Sequence, residues 1–170
     1  MSLNQALNQP RAARLRRALV PLASGSITRA SGDNFSTRAP LATGLGGPVQ
    51  MVPGPDGMVY LTEAAGMVQR SNPKDGSKTQ VANGLALPEG LAFTPWGSLI
   101  VAEAAAGKLT EIDLANGQRR TVADNLPIGL SGGPSMPPPH VPTGVAVGAD
   151  GSIHVSADRN NAICRIRPAR

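Results

Sequence analysis

A short motif returns at a fixed interval along this chain, and that interval limits the folds open to it. Gly25-Ser26-Ile27-Thr28-Arg29, Gly66-Met67-Val68-Gln69-Arg70 and Gly107-Lys108-Leu109-Thr110-Glu111 start 41 residues apart. Each is followed by a leucine 19 or 20 residues after its glycine: Leu45, Leu85 and Leu126. A second anchor keeps the same frame, since Pro55-Asp56-Gly57 returns 40 residues on as Pro95-Trp96-Gly97. It returns again as Ala149-Asp150-Gly151 after 54 residues, so one copy carries an insertion of about fourteen. Fixed periods of this length mark chains built from stacked copies of one supersecondary unit.

Within a copy the apolar period is two. Val59-Tyr60-Leu61-Thr62, Leu99-Ile100-Val101-Ala102 and Ile153-His154-Val155-Ser156 are short β-rich runs entered from glycine-containing turns. The clearest copy holds four runs: Gly90–Phe93, Leu99–Ala102, Lys108–Asp113 and Gln118–Ala123. Asp56-Gly57, Asp75-Gly76, Asn116-Gly117 and Asp150-Gly151 supply the positive φ of tight hairpin turns. With 20 glycines and 16 prolines a helical bundle is disfavoured, and with aromatics at 2 % the core must be Val, Leu, Ile, Ala and Met. Four antiparallel strands every forty-odd residues is the spacing of a β-propeller blade. The expected fold is therefore all-β, a partial β-propeller of about three to four four-stranded blades. Residues 1–24 are expected to be an irregular basic segment. Residues 25–170 hold the blades, divided at about 25–45, 46–85, 86–126 and 127–170.

The net charge of +5 sits at one end. Residues 1–39 carry six arginines against the single acid Asp33, whereas residues 40–170 carry ten basic and ten acidic side chains. A nucleic-acid-binding domain would place a basic face with stacking aromatics on its folded part, so no nucleic-acid partner is expected. No apolar run approaches the roughly 18 residues of a membrane-spanning helix, so no membrane partner is expected either. The one cysteine, Cys164, excludes an internal disulfide and a cysteine-clustered zinc site, and leaves the compartment open. Met1–Leu22 is arginine-rich and free of acids, but its apolar stretch Ala18–Leu22 is broken by Pro21 and falls short of a secretory signal core of roughly 7–15 residues. An organellar presequence and an irregular start to the fold both stay open.

Leu87-Pro88-Glu89-Gly90-Leu91-Ala92-Phe93, Leu99-Ile100-Val101-Ala102-Glu103 and Lys108–Asp113 together resemble one blade of the gluconolactonase, regucalcin and strictosidine-synthase-like superfamily. Pro142–Val147 and Asn161–Ile166 resemble the blade that ends such chains, and the related NHL repeats. The resemblance covers residues 40–170 well and 18–39 weakly, and it implies a six-bladed propeller. Six blades of 41 residues need about 246, and 170 hold about four. The last copy also stops after its third strand, at Ile166. Three explanations are open, in descending order: the remnant of a longer parent, a partial ring closed by self-association, and a four-bladed ring.

The innermost strands of a propeller line its channel, and ligands sit at one mouth. Aligned on their turns, these strands begin at Pro48-Val49, Pro88-Glu89 and Pro142-Thr143, so Glu89 is the one carboxylate at the three starts. The resemblance implies that Glu89 is a metal ligand, with further Asn and Asp ligands from other blades. Calcium or zinc would then polarise a lactone carbonyl for attack by water. Val49 and Thr143 depart from that pattern, and the plainer reading of Glu89 is a solvated or backbone-bonded residue. The insertion Pro127–Val141 should rise over one channel mouth, where His140 could act as a base or ligand, or stand on an ordinary surface loop.

Other candidates are read structurally. Glu63, Glu103 and, one place further on, Asp158 follow the second strand of their copies and are expected to accept backbone N–H bonds in the strand-to-strand turn. Gly129-Leu130-Ser131-Gly132-Gly133 spells a nucleophile elbow, but the prolines that follow bar the helix this motif requires. His154 and Cys164 read as packing positions, and Trp96 as a surface plug between blades. The function expected is that of a gluconolactonase-like protein, either a metal-dependent hydrolase of a small lactone or a binder of a small polar metabolite. The alternative is a non-catalytic NHL-type propeller fragment used as a protein-interaction surface.

Overall fold

The computed structural model describes residues 17–22, 24–130 and 142–167. Their fourteen strands form four antiparallel meanders, each completed before the next begins. The first sheet is β1 (Arg17–Leu22), β2 (Ser26–Ser31) and β3 (Thr37–Ala42). The second is β4 (Pro48–Pro53), β5 (Val59–Glu63), β6 (Met67–Ser71) and β7 (Lys78–Ala82). The third is β8 (Pro88–Phe93), β9 (Leu99–Glu103), β10 (Lys108–Ile112) and β11 (Arg119–Ala123). The fourth is β12 (Val145–Val147), β13 (Ile153–Ala157) and β14 (Ala162–Ile166). The fold is a partial β-propeller of blade-like sheets.

The repeat in the sequence becomes a repeat of bonds. Leu45, Leu85 and Leu126 each donate their N–H to the carbonyl of the glycine that opens the same copy, Gly25, Gly66 and Gly107, at 3.0, 3.1 and 2.8 Å. Those glycines hold φ of +87°, +93° and +60°. A Cβ on each would lie 2.6, 2.8 and 3.1 Å from the leucine carbonyl oxygen, so both backbone sign and space favour glycine. A β-bulge recurs at matching places, between Ile27 and Thr28, Val68 and Gln69, and Leu109 and Thr110. A bulge adds twist to its sheet.

Three joints hold the four sheets together, and each buries a residue of β2, β6 or β10 in one cluster with a residue of β5, β9 or β13 of the next sheet. The pairs are Ile27 with Leu61, Val68 with Val101, and Leu109 with Val155. All six side chains are 0 % exposed. At the second joint Tyr60 meets Phe93 edge to face, with ring centres 5.0 Å apart.

One expectation is corrected, and one of the three open alternatives is removed. The segment 1–24, expected to be irregular, contains β1, whose residues pair with β2 from Arg17↔Ser31 to Leu22↔Ser26. Pro21 is tolerated there because β1 is an edge strand. The strand is also the counterpart of β5 and β9, so among the described residues the first sheet has no inner strand and the fourth no outer one. A closed four-bladed ring is the other casualty. Val20 and Leu22 on the first sheet are 42 % and 40 % exposed, and Ile163 on the last is 74 % exposed, so the two end faces do not meet.

Candidate functional site

The second, third and fourth sheets are each pinned to the linker that enters them, and the repeated carboxylates do the pinning. Glu63 accepts the N–H of Gly46, Glu103 accepts that of Ala86 at 2.7 Å, and Asp158 accepts that of Leu130 at 3.0 Å. The donors are linker residues ahead of the inner strand and not residues of the turn, which corrects the expected partner. The turn's own N–H groups also reach across: Ala64 to Gly47, Ala104 to Leu87 and Arg159 to Pro127, at 2.8, 3.1 and 3.1 Å. Leu22 occupies the matching position in the first sheet, which has no inner strand among the described residues.

Glu63 and Glu103 are both buried but differently satisfied. Glu103 also accepts the Thr110 hydroxyl at 2.5 Å and pairs with Lys108 at 3.3 Å. In Glu63, Oε1 is buried with no hydrogen-bond partner. Two residues differ: Met67 stands opposite Glu63 in the register that Lys108 holds opposite Glu103, and Gln69 takes the place of Thr110. Met67→Lys is therefore expected to stabilise the protein by about 1 kcal/mol, read as a raised midpoint in thermal unfolding. An unchanged or lowered midpoint would show that Glu63 gains nothing from a cation.

The inner strands converge at their starts. Glu89 opens β8 half-buried, and its Oε2 accepts the N–H of Thr143, just ahead of β12, at 2.6 Å. Its own carbonyl accepts the Thr62 hydroxyl at 2.5 Å. Gln50 of β4 accepts the N–H of Leu91 at 3.3 Å, tying β4 to β8. Thr143 is 1 % exposed, and its Oγ1 has no hydrogen-bond partner. Buried hydroxyls without partners are uncommon and call for a reason. Gly90 lets the strands come this close, because a Cβ there would lie 2.4 Å from the Thr143 carbonyl oxygen.

These donors do not fit a divalent cation. The site brings one carboxylate, already bonded to a backbone N–H, beside a lone hydroxyl, and Val49 offers no donor. No group of three His, Cys, Asp or Glu side chains comes together among the described residues. A hard cation needs more oxygen ligands than this. His140 and Ser131, the two loop candidates, lie outside the described residues.

The outer turn of the third sheet holds a pair that sequence reading undervalued. In the second and fourth sheets a turn aspartate pairs with a third-strand arginine, Asp56 with Arg70 at 2.8 Å and Asp150 with Arg165 at 3.1 Å. In the third sheet both partners change. Trp96 replaces the aspartate, Glu111 replaces the arginine, and the indole N–H donates to Glu111 Oε1 at 2.9 Å. Glu111 also accepts the Ser98 hydroxyl and pairs with Arg120. The paired exchange at one repeat position was the signal available. Trp96 remains 57 % exposed beside a cleft of about 450 Å³.

No protein-family profile matches the chain, and no curated protein matches it by sequence. Solved structures do match. A gluconolactonase from Xanthomonas campestris superposes with a TM-score of 0.65 at 22 % identity, over 89 % of this chain and 55 % of its own. Virginiamycin B lyase from Staphylococcus aureus gives 0.56 at 16 %, over 96 % and 58 %. An auxiliary nutrient binding protein from Bacteroides ovatus gives 0.71 at 10 %, over 91 % and 36 %. This chain is an arc of a β-propeller. It spans little more than half of the lyase and the gluconolactonase, and identities this low establish the shared fold alone.

Proposed function

We propose that this propeller arc binds a small polyhydroxylated metabolite, of the sugar-lactone or sugar-acid kind, at the starts of its inner strands. The observation that carries the reading is that Glu89 holds the backbone N–H of Thr143, a residue whose own hydroxyl is buried and unpartnered. A carboxylate with remaining acceptor capacity suits ligand hydroxyls, and a hydroxyl can donate or accept as the ligand requires. Similarity of fold to a gluconolactonase supports the ligand class, and similarity to a nutrient binding protein supports binding. Hydrolysis of a lactone is the stronger form of the same proposal. One carboxylate and one hydroxyl suit the binding of such a ligand. The alternative role, a surface for protein association, is supported by the open faces of the end sheets.

Calorimetric titration of the chain with a six-carbon sugar lactone, and separately with its open-chain acid, tests the proposal. Saturable binding is expected, weakened tenfold or more in both Glu89→Gln and Thr143→Val. The Glu89→Gln change keeps an acceptor for the Thr143 N–H, and Thr143→Val deletes a hydroxyl that no protein group uses, so neither should lower the unfolding midpoint appreciably. Absence of saturable heat with both probes, or binding untouched by either substitution, overturns the reading.

A further inference from the structure

The chain makes the same sheet-to-sheet joint three times and presents the two halves of a fourth at its ends. At each internal joint a residue of β2, β6 or β10 is buried with a residue of β5, β9 or β13 of the next sheet: Ile27 with Leu61, Val68 with Val101, Leu109 with Val155. Continuing the series in both directions leads to one residue at each end. Ile163 of β14 stands where Ile27, Val68 and Leu109 stand, each opposite the equivalent residue of the preceding strand: Ser156 for Ile163, and Pro21, Thr62 and Ala102 for the others in turn. Val20 of β1 stands where Leu61, Val101 and Val155 stand, opposite Thr28 as they are opposite Gln69, Thr110 and Cys164.

The internal members of both series are fully buried, whereas Ile163 is 74 % exposed and Val20 42 %. With Leu22, these account for three of the five exposed large apolar side chains among the described residues. Around Val20 the face is a groove of about 540 Å³ lined chiefly by Ala18, Leu22, Ala30, Phe35 and Pro40. An apolar concavity of this kind on a sheet is a site of association. Its position in the repeat identifies what fits it, namely the rear face of a sheet of this same design.

We propose that the groove at Val20 receives the rear face of the last sheet of a second copy of this chain, with Ile163 entering beside Val20. The contact continues an interface already built three times within the molecule. It is heterologous, head to tail, so it either closes a ring or propagates. The small-ligand reading above is independent of it.

Light scattering and sedimentation equilibrium of the full chain test the contact. A mass above one chain is expected, rising with concentration. Val20→Lys and Ile163→Asp should each reduce the mass to that of one chain, with the circular dichroism of the parent kept, since both side chains are exposed in the single chain. Mixing the two variants is the sharper measurement. The Val20→Lys copy keeps an intact tail and the Ile163→Asp copy an intact head, so the mixture should form one dimer species while neither does alone. A parent that is monomeric throughout, or an association abolished by one substitution and indifferent to the other, overturns the proposal.

Discussion

Glu103→Ala is expected to lower the stability of the protein by about 3 kcal/mol, read as a fall of about 8 °C in the unfolding midpoint for a chain of this size. The side chain is 3 % exposed and serves three donors at once: the Ala86 N–H, the Thr110 hydroxyl and the Lys108 ammonium. Alanine leaves all three without their partner, and it unpins the linker that leads into β8. The effect should depend on pH. Burial pushes the Glu103 carboxyl up, but the Ala86 N–H, the Thr110 hydroxyl and Lys108 together outweigh it and hold the group below its ordinary value of 4.5. A folded value below the unfolded one gives stability that is present above pH 4.5 and lost as pH falls through the folded value. Midpoints of the parent and of Glu103→Gln should therefore differ most near neutrality and converge in acid. A difference that stays constant from pH 7 down to acid would show that the carboxylate's charge is not what matters.

Gly90→Ala should cost about 3 kcal/mol by a steric route alone. The new Cβ would lie 2.4 Å from the Thr143 carbonyl oxygen and 2.9 Å from both the amide nitrogen and Cγ2 of Val145. The opposing backbone has little room to retreat, because Glu89 holds the Thr143 N–H and Ser156 holds the Gly144 N–H at 2.7 Å. The third and fourth sheets would part along their inner strands. Trp96, the one tryptophan in the chain, lines a cleft with Ile153 and Ile166, so its fluorescence reports on this joint. Gly144→Ala is the control. It occupies the aligned position one sheet on, where a Cβ would find only the Ser156 hydroxyl at 3.6 Å. A midpoint for Gly90→Ala equal to that of Gly144→Ala would refute the close approach.

The blade-like sheets were legible because their anchors are backbone requirements, and such requirements mark a sequence strongly. Gly25, Gly66 and Gly107 recur because positive φ and a carbonyl at contact distance exclude a side chain. What recurs is visible in a sequence, but what it touches is not. Glu63, Glu103 and Asp158 read as structural carboxylates, yet their partners are linker residues 17 to 28 positions upstream. Strand β1 was hidden for a different reason. Its Arg17 and Pro21 argue against an inner strand, and they are acceptable because the strand lies on an edge of its sheet. The site was legible only in part: Glu89 stands out as the carboxylate at an inner-strand start, whereas the orphan hydroxyl of Thr143 emerges only once the strands are placed together.

The order of the strands has a consequence for how such a molecule is made. Every sheet is drawn from consecutive strands, and every joint links sheets adjacent in the chain. By the time Leu85 has left a ribosome, the first joint between Ile27 and Leu61 can already be closed and Leu85 itself can bond to Gly66. Assembly can thus proceed vectorially, each new unit templated by the one before it, with short loop closures that keep its entropic cost low.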